Sequence, residues 1–301
     1  MERNRFAVLV FGTLSMVGLV GCGSSENSIS IDGSSTVYPV TEAVVEEFDK
    51  TQPGVRVTAG SSGTGGGMKK FIAGDIEICG ASRPIKEKEI EACKEKKVEY
   101  IELEVAFDGL AVVVNPKNDW CNELTVAQLK EIWRPESGVK NWKDINPAWP
   151  DEEILLYGPG TDSGTFDYFT EEIVGEEGAI RDDYTASEDD NMLVTGVKED
   201  LYALGYFGYA YYSQNRDALK LIAVDGGAGA VQPTMETVRD GTYQPLSRPL
   251  FIYVRRSALA RPEVSKFVRF YLDNAAQMAK EIGYVPISEE AAKKNEETLK
   301  G

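Results

Sequence analysis

The sequence predicts an α/β protein built on an open, mostly parallel sheet. Two observations carry this. From Ser28 onward, strand-like and helix-like segments alternate as β-α-β-α-β-α, the order of stacked crossover units. In addition, three loops consist almost wholly of glycine and hydroxyl residues, and each leads into a helical pattern. They are Asp32-Gly33-Ser34-Ser35-Thr36, Gly60-Ser61-Ser62-Gly63-Thr64-Gly65-Gly66-Gly67 and Gly160-Thr161-Asp162-Ser163-Gly164-Thr165. Each follows a strand-like segment, and ligands of such sheets bind beyond the carboxyl ends of the strands.

The elements follow in order. Residues 28–31 (Ser-Ile-Ser-Ile) alternate as a first strand and enter the first loop. Residues 37–50 place Val37, Val40, Val44, Val45 and Phe48 at helical spacing. Residues 55–58 form a second strand, and residues 68–73 a short helix stopped by Gly74. Residues 76–79 form a third strand that ends in Gly80-Ala81-Ser82-Arg83-Pro84, and residues 86–96 a charged helix. Residues 98–103 and 110–114 read as two further strands, with a turn at residues 115–118. A helix at 125–132 starts on a Thr125 cap. Residues 154–157 form a strand entering the third loop, and residues 166–174 the helix after it, so the second half repeats the logic of the first. The aromatic run at 205–212 reads as packing, residues 249–254 as a buried strand, and residues 262–281 as a long amphipathic helix. Residues 288–301 are polar, a surface helix or tail.

The three loops share one chemistry. The first turn of a helix carries N–H donors without internal partners, and its dipole favours negative charge. One such loop is an ordinary cap. Three of them facing one point make a cage of donors for a small oxyanion.

Composition narrows the class. The formal charge of -17 argues against nucleic acid as a partner. It also repels anions at long range, so an anion site must act through local geometry. There is no histidine, which removes the commonest general base and neutral metal ligand. No cofactor and no metal are expected, and a monomer is. The acidic run Glu188-Asp189-Asp190 reads as a solvated loop.

The N-terminus reads as a targeting segment. Arg3 and Arg5 precede an uncharged apolar stretch at 6–20, followed by Leu19-Val20-Gly21-Cys22. That stretch is short for a membrane span and matches a signal h-region. Residues 1–21 are expected to be removed, leaving Cys22 lipidated and residues 22–27 as a tether. About 275 residues then remain outside the cytoplasm, enough for one large or two ordinary domains. Cys79, Cys93 and Cys121 allow one disulfide there. Cys79 with Cys93 is the first choice, and three unpaired thiols the alternative.

With these motifs in place, the chain resembles the periplasmic-type phosphate-binding proteins, the capture subunits of phosphate-specific ABC importers. The resemblance runs from about Ile29 to Ile287. It is carried by Gly33-Ser34-Ser35-Thr36-Val37-Tyr38-Pro39, Gly63-Thr64-Gly65-Gly66-Gly67, Gly80-Ala81-Ser82-Arg83-Pro84 and Asp162-Ser163-Gly164-Thr165. It implies a two-lobed type II periplasmic-binding-protein fold with the ligand in the cleft. Lobe 1 would comprise residues 28–107 with 249–301, and lobe 2 residues 112–246. It also implies that Ser35, Thr36 and the N–H of Val37, Thr64, and Ser163, Gly164 and Thr165 hold the anion. Better-known members place an aspartate after Gly-Ala-Ser and an arginine shortly before Ser-Gly-Thr. Here Arg83 and Pro159 stand at those places and Asp162 directly precedes Ser163, so the acid and the base have exchanged lobes. Arg83 and Asp162 therefore join the expected site, with Ser34, Ser62, Ser82 and Asp108 as further candidates.

The expected function is extracytoplasmic capture of inorganic phosphate and its delivery to ABC permease subunits. A carboxylate such as Asp162 would accept the proton that phosphate carries and sulfate lacks, and an unmatched buried polar group discriminates strongly. The alternatives are a binding protein for sulfate, molybdate or tungstate, or an enzyme. An enzyme with Ser163 as nucleophile would need a base, and the Gly60 loop is no Walker A loop because Met68 separates its glycines from Lys69.

Overall fold

The structure is a computed structural model and describes residues 27–161, 163–187 and 189–300. The expected leader, Cys22 and Asp162 lie outside the described residues. Strands β1 (Ser28–Gly33), β2 (Arg56–Ala59) and β3 (Ile78–Ala81) are parallel, with β1 between the other two. Helices α1 (Tyr38–Thr51), α2 (Gly63–Ala73) and α3 (Glu87–Lys96) follow them in turn. Strand β4 (Tyr100–Val114) leads out of this half.

The second half holds β5 (Glu123–Thr125), α4 (Val126–Trp133), α5 (Trp142–Ile145), β6 (Leu155–Pro159) and α6 (Gly164–Phe169). A π-helical turn at Thr170–Val174 extends α6. Next come β7 (Thr185–Ser187), α7 (Asp190–Glu199), β8 (Ala203–Gly208), α8 (Tyr209–Gln214), β9 (Lys220–Leu221), β10 (Ala223–Asp225), β11 (Ala230–Val231) and α9 (Met235–Arg239). The chain then returns through β12 (Ser247–Arg255), α10 (Pro262–Ile282), β13 (Val285–Pro286) and α11 (Glu289–Lys300).

The main sheet runs β2-β1-β3-β12-β4-β8-β6-β7. Parallel pairs flank β1 and β6, but β12 and β4 are antiparallel to their neighbours. The expectation of a mostly parallel sheet is corrected in this central part. The reason is topological: the chain leaves the first half along β4 and re-enters along β12, and strands that leave and return must oppose one another.

Strand β4 also corrects the expected pair of strands at 98–103 and 110–114. It is one strand of 15 residues. Its first part pairs with β12 as far as Gly109, and its last part pairs with β8 from Leu110. Asp108, which lies between the two expected strands, is wholly buried where β4 passes from β12 to β8.

The glycine-rich loop is likewise not a loop that precedes a helix. Helix α2 begins at Gly63, so Thr64 to Gly67 form its first turns. Four glycines are poor helix formers, which hid this start. Gly67 is needed for packing, since a Cβ there would lie 2.5 Å from the Gly33 Cα. The expected stop holds, because Gly74 adopts the left-handed conformation at the C-cap.

Apolar layers cover both faces of the first half. On one face, α1 buries Val40, Val44 and Phe48 against Phe267 and Tyr271 of α10. The long amphipathic helix is thus real and spans 21 residues. On the other face, Met68, Phe71, Cys79 and Cys93 share a cluster. Cys79 and Cys93 are free buried thiols, which corrects the disulfide as first choice. Burial pushes the Cys79 thiol up to about 12, and both side chains act as small hydrophobes. In the second half, Tyr206 of the aromatic run stacks on Phe169 with ring centroids 3.6 Å apart, as packing requires. Among the described residues, no helix is long and apolar enough to cross a membrane.

Candidate functional site

The first and second donor loops are tied together by Asp32, at the end of β1. Its carboxylate accepts from the N–H of Gly33 at 2.7 Å, the N–H of Ser62 at 2.9 Å and the Ser62 hydroxyl at 2.7 Å. Lys70 of α2 pairs with the other carboxylate oxygen. Ser62 therefore spends both donors on Asp32. Burial works to raise the Asp32 carboxyl, but Lys70, Ser62 and the two N–H groups outweigh it and hold it below the ordinary carboxylate range. The stabilisation from a depressed carboxylate is complete above its unfolded value and is lost as pH falls through the folded one. Unfolding by urea should therefore become easier as pH falls below about 4 in the parent, and less so in Asp32→Asn.

Gly33 makes the turn possible. It sits at φ +146°, and a Cβ there would lie 2.0 Å from the Gly80 carbonyl oxygen. This closeness lets the Ser34 N–H donate to Gly80 O at 2.9 Å, joining the first loop to the loop after β3. The Thr36 N–H donates to the Ser34 hydroxyl at 3.2 Å. The Val37 side chain is buried, and among the described residues nothing accepts the Val37 N–H.

Thr64, on the first turn of α2, accepts from the Ser82 N–H at 3.2 Å, and the two hydroxyls lie 3.3 Å apart. Ser34, Ser35, Thr64, Ser82 and Arg83 all line one cleft of about 360 Å³, with Lys86 at its side. The opposite wall belongs to the second half: Asp167, Glu171, Glu172 and Glu177. Burial raises the Asp167 carboxyl, with Glu177 adding to the shift, and burial and Glu171 raise that of Glu172.

The third donor loop meets the first. A Cβ on Gly164 would lie 3.1 Å from the Thr36 hydroxyl, so the start of α6 rests against Thr36. Ser163 caps α6, its hydroxyl accepting the Thr165 N–H at 3.2 Å. Among the described residues the Gly164 N–H has no acceptor.

Arg248 stands at this meeting point, and sequence reasoning missed it. Its Nη2 donates to the Thr36 hydroxyl at 2.8 Å and to Asp108 Oδ2 at 3.2 Å, and its Nε to the same oxygen at 3.3 Å. Its guanidinium carbon lies 3.6 Å from the centroid of the Tyr168 ring, on α6. One cation thus touches the first loop, the crossing strand and the helix after the third loop. Asp108 is fully buried; burial raises its carboxyl and Arg248 opposes the rise. Its Oδ1 has no partner among the described residues. The Tyr284 hydroxyl donates to the Thr36 carbonyl at 2.9 Å and fixes the loop from the far side. Arg248 is the second residue of β12, and the strand expected from the sequence begins one residue later, at Pro249. The one available signal was that β12 had to return beside Asp108.

Arg83 pairs with Glu89. Nη1 and Nη2 donate to the two carboxylate oxygens, each at 2.9 Å. The hydrogen bond to Glu89 raises the Arg83 guanidinium; burial would raise Glu89, but Arg83 and the Lys86 N–H hold it below the ordinary range.

A two-half α/β fold with a polar cleft lined from both halves and helix starts at their junction has the organisation of a periplasmic-type solute-binding protein. The PBP superfamily domain matches residues 21–275. The chain is 52% identical to Protein SphX of Synechocystis sp., covering 92% of this chain and 84% of that one. It is 40% identical to the phosphate-binding protein PstS of Staphylococcus saprophyticus, covering 93% and 87%. A solved structure of a possible phosphate binding protein from Planctomyces limnophilus superposes with a TM-score of 0.87 at 46% identity, covering 91% of this chain and 97% of that one. The chain belongs to the PBP superfamily and, within it, to the family of the SphX and PstS proteins.

Proposed function

We propose that this protein captures inorganic phosphate outside the cytoplasm and hands it to an ABC importer. One observation carries the reading: Thr36, Gly164 and Arg248, from three separated stretches of chain, meet between the two halves. We take residues 28–107 with 249–301 and residues 112–246 as the lobes. Phosphate would be held by Ser35, Thr36, the Val37 N–H, Thr64, Arg83, Ser163, Gly164, Thr165 and Arg248. Ser34, Ser82 and Asp108 support these groups by the bonds described. Ser62 supports the loops through Asp32. The relatives support this ligand, since PstS is by name a phosphate-binding protein. A receptor for phosphate transport from Vibrio cholerae also shares the fold, at TM-score 0.63 and 25% identity.

The chemistry of the cleft favours an oxyanion that brings its own proton. Donors line one wall and carboxylates the other. Charge-assisted bonds to an anion are roughly twice as strong as neutral ones. A phosphate hydroxyl can donate to a carboxylate, whereas sulfate at neutral pH offers only lone pairs to it. Asp162, directly before Ser163, is the proposed acceptor.

The lobes would close on the anion by a hinge at β4 and β12. Cys22 would carry the lipid that holds the protein at the membrane, and permease subunits would receive the phosphate. Titration calorimetry tests the reading. One phosphate should bind per chain, and sulfate in large excess should not compete. Equal binding of the two anions would remove the phosphate assignment.

A further inference from the structure

We propose that Glu89 is a positioning residue for phosphate capture, clamping one edge of Arg83 so that the other edge is left for the anion. This rests on the reading of Arg83 as a phosphate ligand.

A guanidinium has two forked edges, one made by Nη1 and Nη2 and one by Nε and Nη2. Glu89 occupies the first, with both bonds at 2.9 Å, and the Pro84 carbonyl takes a second bond from Nη1 at 3.1 Å. Among the described residues nothing accepts from Nε or from the second N–H of Nη2. These two form the fork that grips a tetrahedral oxyanion by two of its oxygens. Arg83 itself lines the cleft, while Glu89 is buried behind it on α3.

The clamp is itself anchored. Glu89 is the third residue of α3, and its carboxylate also accepts the Lys86 N–H at 2.8 Å. One carboxylate thus starts the helix and sets the orientation of the arginine. A long side chain with many rotamers is fixed before the anion arrives, which lowers the ordering cost of binding. A carboxylate beside an anion site would otherwise only weaken it by repulsion. The two accounts therefore predict opposite signs for its removal.

The experiment is phosphate titration calorimetry on the parent, Glu89→Gln, Glu89→Ala, Arg83→Ala and the double variant Arg83→Ala/Glu89→Ala. Glu89→Ala should weaken phosphate binding about tenfold or more, in the range seen when one partner of a buried pair is truncated. Glu89→Gln keeps the acceptor for Lys86 and one for Arg83, so it should recover much of the loss. In the Arg83→Ala background, removing Glu89 should change affinity less than about twofold, as expected when two residues act through one contact. Should Glu89→Ala fail to fold, Glu89→Gln against the parent carries the test, with a weaker affinity expected. Parental or tighter binding by the Glu89 variants, with Arg83→Ala impaired, would overturn the positioning role alone. Parental binding by Arg83→Ala would overturn the ligand reading of Arg83 and the proposal with it.

Discussion

Arg248→Ala is expected to abolish measurable phosphate binding and to weaken the fold at the same time. The two effects have separate causes. Binding fails because the cation that joins Thr36, Asp108 and Tyr168 is gone. Stability falls because Asp108 is left as a fully buried carboxylate, its one bonded oxygen without a partner. Breaking a buried pair on one side costs about 3–5 kcal/mol. Adding Asp108→Asn should recover part of the stability, since an amide needs no counter-charge, but none of the binding. Urea unfolding and calorimetry on the single and double variants separate the two effects. Parental phosphate affinity in Arg248→Ala would remove Arg248 from the site.

Arg83→Ala should have the second largest effect on binding. The side chain lines the cleft and donates through one edge only to Glu89 and Pro84. Its loss would remove the proposed two-pronged contact and leave the buried Glu89 carboxylate without its partner. A loss of about 2–5 kcal/mol in binding is expected for a truncated, hydrogen-bonded charge. Arg83→Lys should restore only part, because an ammonium cannot grip two oxygens in a plane. Binding within about threefold of the parent, well under the 1.4 kcal/mol of a tenfold change, would mark Arg83 as structural.

Much of this was legible because local patterns and tertiary roles agreed. The apolar spacing of α1 and α10 announced the faces they bury. The hydroxyl and glycine loops announced helix starts, and Gly33 and Gly164 are small for reasons visible only at the contact: Gly80 lies against one and Thr36 against the other. What the sequence hid lies where one residue serves a partner far along the chain. Arg248 and Thr36 are 212 residues apart, and no local period links them. A buried charge inside a continuous strand is rare, and Asp108 finds its partner only on the returning β12. The glycines of α2 hid a helix start, since propensity opposes the packing that selects them. The loop and single helix between Cys79 and Cys93 suggested a bridge, yet each fills an apolar gap as a thiol.

The central claim is that one phosphate sits where the three donor loops meet. A crystal structure grown with phosphate tests it most directly. One anion should lie between the halves, within about 3 Å of the Thr36 hydroxyl, of the N–H groups at the start of α6 and of a nitrogen of Arg83 or Arg248. A phosphate bound away from Thr36 and Gly164, or a cleft that stays without anion at saturating phosphate, would contradict the account.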